Sequence, residues 1–105
     1  MAIGAAEIII EINLTGMEIE RRYVKFEEIC KLLSQGLKED NAFLIDRKYE
    51  ELISFSGKVL VGKLYVAAVR ISRQEKDWFD HEFKAIVSGL CGSANIRKFE
   101  CSWLT

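Results

Sequence analysis

The sequence predicts an α+β fold: an antiparallel sheet of about five to six strands with two amphipathic helices on one face. Three observations carry this. Residues 7–14, EIIIEINL, alternate with period two: Ile8, Ile10, Ile12 and Leu14 fall on one face and Glu7, Glu11 and Asn13 on the other. That is the pattern of a half-buried strand. From about Val24 to Glu39 the period lengthens, and Phe26, Ile29, Leu32, Leu33 and Leu37 form a stripe opposite Glu27, Lys31, Ser34 and Lys38, as in an amphipathic helix. A second helix over 73–91 is announced by Ser72-Arg-Gln-Glu75, a capping box, and closed by Gly92 at the C′ position.

The remaining elements follow in chain order. Thr15-Gly16 supplies a turn, and Met17, Ile19 and Tyr23 resume the alternation, so residues 17–23 read as a hairpin partner of the first strand. A helix beginning at Thr15 competes, because Thr15-Gly-Met-Glu18 also fits a capping box. At about 100° per residue, however, Met17, Ile19, Tyr23 and Val24 scatter round a helix. Gly36 interrupts the first helix's apolar stripe at a cost of about 1 kcal/mol; a close approach to the sheet would offset it. NAFLI, residues 41–45, reads as a short strand, while 47–53 fits either a helical turn or a strand. Ser56-Gly57 reads as a hairpin turn, and residues 58–72 as strand broken at Gly62-Lys63. In the second helix Phe79, Phe83, Ile86, Val87 and Leu90 define the buried face. IRKFECSWL, residues 96–104, forms the last strand, with Phe99, Cys101 and Trp103 sharing a face.

INLTGMEI and ISFSGKVL head two similar halves, so a ββαβ pseudo-repeat is one arrangement of these elements. If residues 17–23 are not a strand, a ferredoxin-like βαββαβ sheet fits instead, and a longin- or roadblock-like ββαβββα order also accommodates the pattern. No residue motif ties the chain to any family.

Composition narrows the function. The chain has 105 residues, half of them hydrophobic and 30% charged, with a net charge of −1: a single globular domain, not a disordered segment. Its tightest basic group, Arg21, Arg22 and Lys25, is answered by Glu18, Glu20, Glu27 and Glu28, which argues against nucleic acid as the main partner. MAIGAAEIII lacks a basic n-region and carries acids at Glu7 and Glu11. It reads as neither a signal peptide nor a spanning helix, and the expectation is a cytoplasmic protein with no membrane partner. Cys30, Cys91 and Cys101, an odd number without CxxC spacing, read as reduced thiols buried as small hydrophobes. GKVLVGKL, residues 57–64, places Leu64 where a phosphate loop needs a hydroxyl and consists of strand formers, so it is not read as one.

The stretch DWFDHEF, residues 77–83, holds the only histidine, His81, among Asp77, Asp80 and Glu82. On an ideal wheel His81 lies about 160° from Phe83, facing water, and the acids suit the helix N-terminal half. Trp78, about 140° from Phe83 on the same wheel, is the stronger interface candidate. Ile9 and Glu11 on the first strand are further candidates, as an edge for sheet extension. The leading expectation is a non-enzymatic protein–protein interaction module, a small subunit, adaptor or inhibitor, self-associating or working within a complex and using no cofactor or metal. A metal-assisted hydrolase or nuclease using His81 with Asp77 or Asp80 is one alternative. A nucleic-acid-binding module using Arg21, Arg22 and Lys25 is the other.

Overall fold

The computed structural model describes residues 3–16, 19–37, 46–54 and 57–104. The apolar alternation at the start forms β1 (Ile3–Asn13), and the helical stripe forms α1 (Ile19–Gly36). A hairpin of β2 (Asp46–Ser54) and β3 (Gly57–Ser72) follows. Helix α2 (residues 73–91) runs as an α-helical segment Arg73–Trp78, a π-turn Phe79–Phe83 and a second α-helical segment Lys84–Cys91. The last strand is β4 (Ile96–Trp103). The four strands form one antiparallel sheet in the order β2-β3-β1-β4.

This corrects two expectations. The sheet has four strands among the described residues, not five to six, and the order β-α-β-β-α-β shows no ββαβ pseudo-repeat. The order is the one expected if residues 17–23 are not a strand. Helix α1 starts by Ile19, within the stretch read as a hairpin partner. Ile19, Tyr23, Phe26, Cys30, Leu33 and Leu37 recur at steps of four and three, a helical series that reaches further upstream than the stripe counted from Val24. The Thr15-Gly16 turn is present: Thr15 N–H donates to Asn13 Oδ1 at 3.0 Å, and Thr15 Oγ1 accepts from Leu60 N–H at 2.7 Å. It hands the chain to a helix instead of a second strand. Residues 17–18 and 41–45 lie outside the described residues.

Nor is β3 broken at Gly62-Lys63. It is continuous for 16 residues, because Gly62 pairs with Ile12 on one side and Tyr49 on the other. Two neighbours hold a glycine that a lone strand would lose to entropy. Strand β3 thereby pairs with β2 through its first part and with β1 through its later part.

The core is built from alternate residues. Ala6, Ile8, Ile10, Ile12 and Leu14 are fully buried, and so are Leu64 and Ile71 on β3. They meet Ile29, Cys30 and Leu33 of α1, Leu37 just past its end, and Phe79, Phe83, Val87 and Cys91 of α2 in one cluster. The intervening residues of β1 are only half-buried, so the helices cover one face of the sheet. Both ends of α2 are as the sequence predicts. Ser72 Oγ accepts from Glu75 N–H at 3.2 Å, and Glu75 Oε1 accepts from Ser72 N–H at 2.9 Å. At the far end Gly92 has φ +83°, a conformation that favours glycine.

The π-turn sets the relation between the helices. With i→i+5 hydrogen bonding, residues five apart come into line, and Trp78 stacks on Phe83 with ring centroids 5.0 Å apart and planes 20° apart. Phe79 and Phe83 in turn lie against Phe99 of β4, at 4.5 and 5.7 Å. The buried series becomes Phe79, Phe83, Val87 and Cys91, and Ile86, expected inside, is 43% exposed. The Trp78 indole fills the space beside Gly36: a β-carbon there would collide with ring carbons Cη2 and Cζ2. The glycine in the α1 stripe is explained by the second helix, not by the sheet.

A substitution at Gly36 therefore has a sign that depends on Trp78. Alanine gains about 1 kcal/mol in helix propensity, but forcing volume into a packed contact costs about 1–3 kcal/mol. Gly36→Ala is expected to destabilise the wild type and to stabilise a Trp78→Ala background by about 1 kcal/mol. Urea denaturation of the four proteins checks this.

Candidate functional site

The side of the sheet away from the helices is lined by every second residue of its strands. Strand β1 contributes Glu7, Ile9, Glu11 and Asn13, β3 contributes Lys63, Tyr65 and Arg70, and β4 contributes Lys98, Glu100 and Ser102. Register fixes the neighbours: Ile9 lies between Tyr65 and Glu100, and Glu11 between Lys63 and Lys98. Lys63 Nζ approaches Glu11 Oε1 at 3.7 Å. The Tyr65 hydroxyl donates to Glu7 Oε2 at 3.3 Å, a diagonal cross-strand contact of the kind that long side chains make. The Glu7 charge, with desolvation and this hydrogen bond, raises the Tyr65 phenol above its ordinary 10.0.

Of the residues nominated from sequence, this face brings together Ile9 and Glu11. It does not hold Trp78, His81, Asp77 or Asp80, which belong to α2 on the other side of the sheet. Trp78 is half-buried against Phe83 and Gly36. His81 is exposed, and its Nδ1–H donates to the Asp77 backbone carbonyl at 2.9 Å. Because the acceptor is a carbonyl, Nδ1 carries the proton in this contact. The Asp80 carboxylate is bound by Lys76 at 2.7 Å, and this hydrogen bond raises the Lys76 pKa above its usual value. The His81 ring contact thus runs to a peptide group, while the nearest acid pairing belongs to a lysine one turn away. Arg21, Arg22 and Lys25 lie on α1, and their side chains fall outside the described residues. Lys63 is a residue of this face that sequence reasoning does not nominate. Its signal is the alternation Lys63-Leu64-Tyr65-Val66, visible once residues 58–72 are read as one unbroken strand.

Cys30, Cys91 and Cys101 are buried, and none of them is in a disulfide. Burial pushes the Cys101 thiol up to about 11, against a smaller lowering by the Lys76 charge. Among the described residues, no three His, Cys, Asp or Glu side chains converge as a metal-binding set, and no helix is long and apolar enough to cross a membrane. No known family model matches the chain, and no curated protein is significantly similar to it in sequence.

The Glu7–Tyr65 contact has a pH signature. A phenol raised in the folded state favours its neutral form there. Its contribution to stability is complete below the unfolded value of about 10 and is lost as pH rises through the higher folded value. In a ¹³C NMR titration, the Tyr65 ring is expected to titrate above 10.0 in the wild type and to fall back towards 10.0 in Glu7→Gln.

Proposed function

We propose that the protein is a non-catalytic interaction module, with a ferredoxin-like arrangement, that self-associates through the uncovered face of its sheet. The observation that carries this reading is the composition of that face. Ile9 and Tyr65 lie near its middle, and around them stand three carboxylates, Glu7, Glu11 and Glu100, and three cations, Lys63, Arg70 and Lys98. Glu11 on β1 stands between Lys63 on β3 and Lys98 on β4, while Glu100 lies on β4 itself. A second sheet stacked crosswise, one of the two ways in which sheets pack face to face, would bring each acidic row over the other copy's lysines. Among the described side chains the charges on this face balance, which suits it poorly to polyphosphate, whose binding depends on excess positive charge.

The test is the mass in solution. Light scattering after size exclusion is expected to give about twice 12.0 kDa for the wild type, and Ile9→Arg is expected to give the monomer with an unchanged circular dichroism spectrum. A monomeric wild type at every concentration reached would sink the reading. A hydrolase using His81 makes the opposite prediction, namely activity that His81→Ala abolishes without any change of mass.

A further inference from the structure

The sheet has two outer strands, β2 and β4. Extension cannot run from β1, where Ile9 and Glu11 point to an edge in the sequence, because β1 lies between β3 and β4. The side chains of β2 fall outside the described residues. That leaves β4 as the edge with defined chemistry.

One hydrogen bond fixes which backbone groups of β4 face outward. Leu104 N–H donates to the Ala5 carbonyl at 2.9 Å, and the β1–β4 ladder is regular from the Ala6–Trp103 pair to the Glu11–Lys98 pair. Opposed residues of an antiparallel ladder alternate between hydrogen-bonded and non-hydrogen-bonded pairs. Ser102, Glu100 and Lys98 therefore turn their N–H and C=O groups to β1, and Trp103, Cys101 and Phe99 turn theirs away from the sheet. Among the described residues no strand lies on that side. Outward groups in such a row are a template for a further strand.

The side chains select which strand fits. On the open side of the sheet β4 carries Lys98 and Glu100, two residues apart and both exposed. Neither has an ion-pair partner among the described residues, and Glu11, opposite Lys98, is approached by Lys63 at 3.7 Å. A second β4 can add antiparallel about a two-fold axis, so that the strand meets itself. With the axis at Lys98 or at Glu100, like charges oppose each other. With the axis at Cys101, Lys98 opposes Leu104 and Glu100 opposes Ser102, and no ion pair forms. With the axis at Phe99, Lys98 opposes Glu100 of the second copy, and the pair occurs twice. Both pairs fall at non-hydrogen-bonded positions, where side chains stand closest. On the helix side the half-buried Phe99, stacked on Phe79 at 4.5 Å, comes beside Phe99 of the second copy. Lysine on an edge commonly blocks pairing. With Glu100 two residues on, it instead rejects neighbouring registers and admits this one.

We propose that β4 pairs with β4 of a second copy about an axis through Phe99, joining the two four-stranded sheets edge to edge. The ladder is short, because the register breaks between Glu11 and Ile12 and leaves Arg97 as an extra residue. A contact this small forms at about millimolar concentration, above the dilution of size exclusion. It uses the edge of the sheet and does not rest on stacking of the open faces.

The experiment is amide–water exchange, measured by NMR on the full chain from about 0.05 to 1 mM. The Phe99 amide is expected to exchange rapidly when dilute and to slow several-fold as concentration rises. Trp103, opposite the turn before β4 in this register, is expected to stay fast, and Lys98, Glu100 and Ser102 to stay slow throughout. Lys98→Glu and Glu100→Lys, both at exposed positions, are each expected to keep the spectrum of the fold and abolish the slowing. The double variant exchanges the two charges without altering net charge and is expected to restore it. Four results overturn the proposal: a Phe99 rate independent of concentration, equal slowing at Trp103, slowing that persists in a single variant, and a double variant that does not recover it. A wild type that is monomeric by light scattering yet slows at Phe99 when concentrated removes the stacked faces and leaves the edge contact standing.

Discussion

Trp78 can reach α1 only because the helix that carries it is not α-helical throughout. Five residues of i→i+5 bonding, Phe79–Phe83, turn the indole from the flank of α2 to the same side as Phe83, and at that position α1 presents Gly36. A larger residue at position 36 would push the helices apart, and a regular α2 would leave the indole facing water. The contact therefore couples two local departures from helical regularity, an unfavourable glycine and an unfavourable π-turn, each of which accommodates the other. With the helices seated together, Phe79 and Phe83 meet Phe99 and the interior faces of β1 and β3. The single helical layer that results leaves the opposite side of the sheet without cover from its own chain among the described residues.

That seam also marks where the sequence could be read and where it could not. β1, the capping box at Ser72, the stop at Gly92 and β4 were legible, because each depends on neighbours in sequence: a period, a side chain reaching three residues on, a positive φ. The start of α1 is obscured in the sequence because three apolar residues, Met17, Ile19 and Tyr23, satisfy period two over seven positions. The longer series from Ile19 to Leu37, at steps of four and three, was the stronger signal. Trp78 and Ile86 depart from the ideal wheel for one shared reason. A wheel drawn at 100° per residue cannot represent an inserted residue, and residues on either side of the π-turn are rotated relative to it. Continuity of β3 through Gly62 was not legible at all, since it depends on hydrogen bonds from two strands far away in sequence.

The candidate site was partly visible for similar reasons. Alternation alone is enough to place Ile9 and Glu11 on a common face. The company they keep, Tyr65 and Lys63 on one side and Glu100 and Lys98 on the other, is a matter of register, which no local pattern contains.

The strand order also shapes how the molecule comes together in time. Strand β1 is interior, and its two partners, residues 61–72 and 96–103, are both distant along the chain. A chain emerging in order holds its most apolar strand, with Ile8, Ile9, Ile10 and Ile12, unpaired until β3 is made, and still open along one edge until β4 follows. Such long loop closures slow folding and prolong the exposure of sticky edges. Glu7 and Glu11, set among those isoleucines, place charge along the waiting strand. In the nascent chain they act as guards against premature pairing, before they become partners of Tyr65 and Lys63.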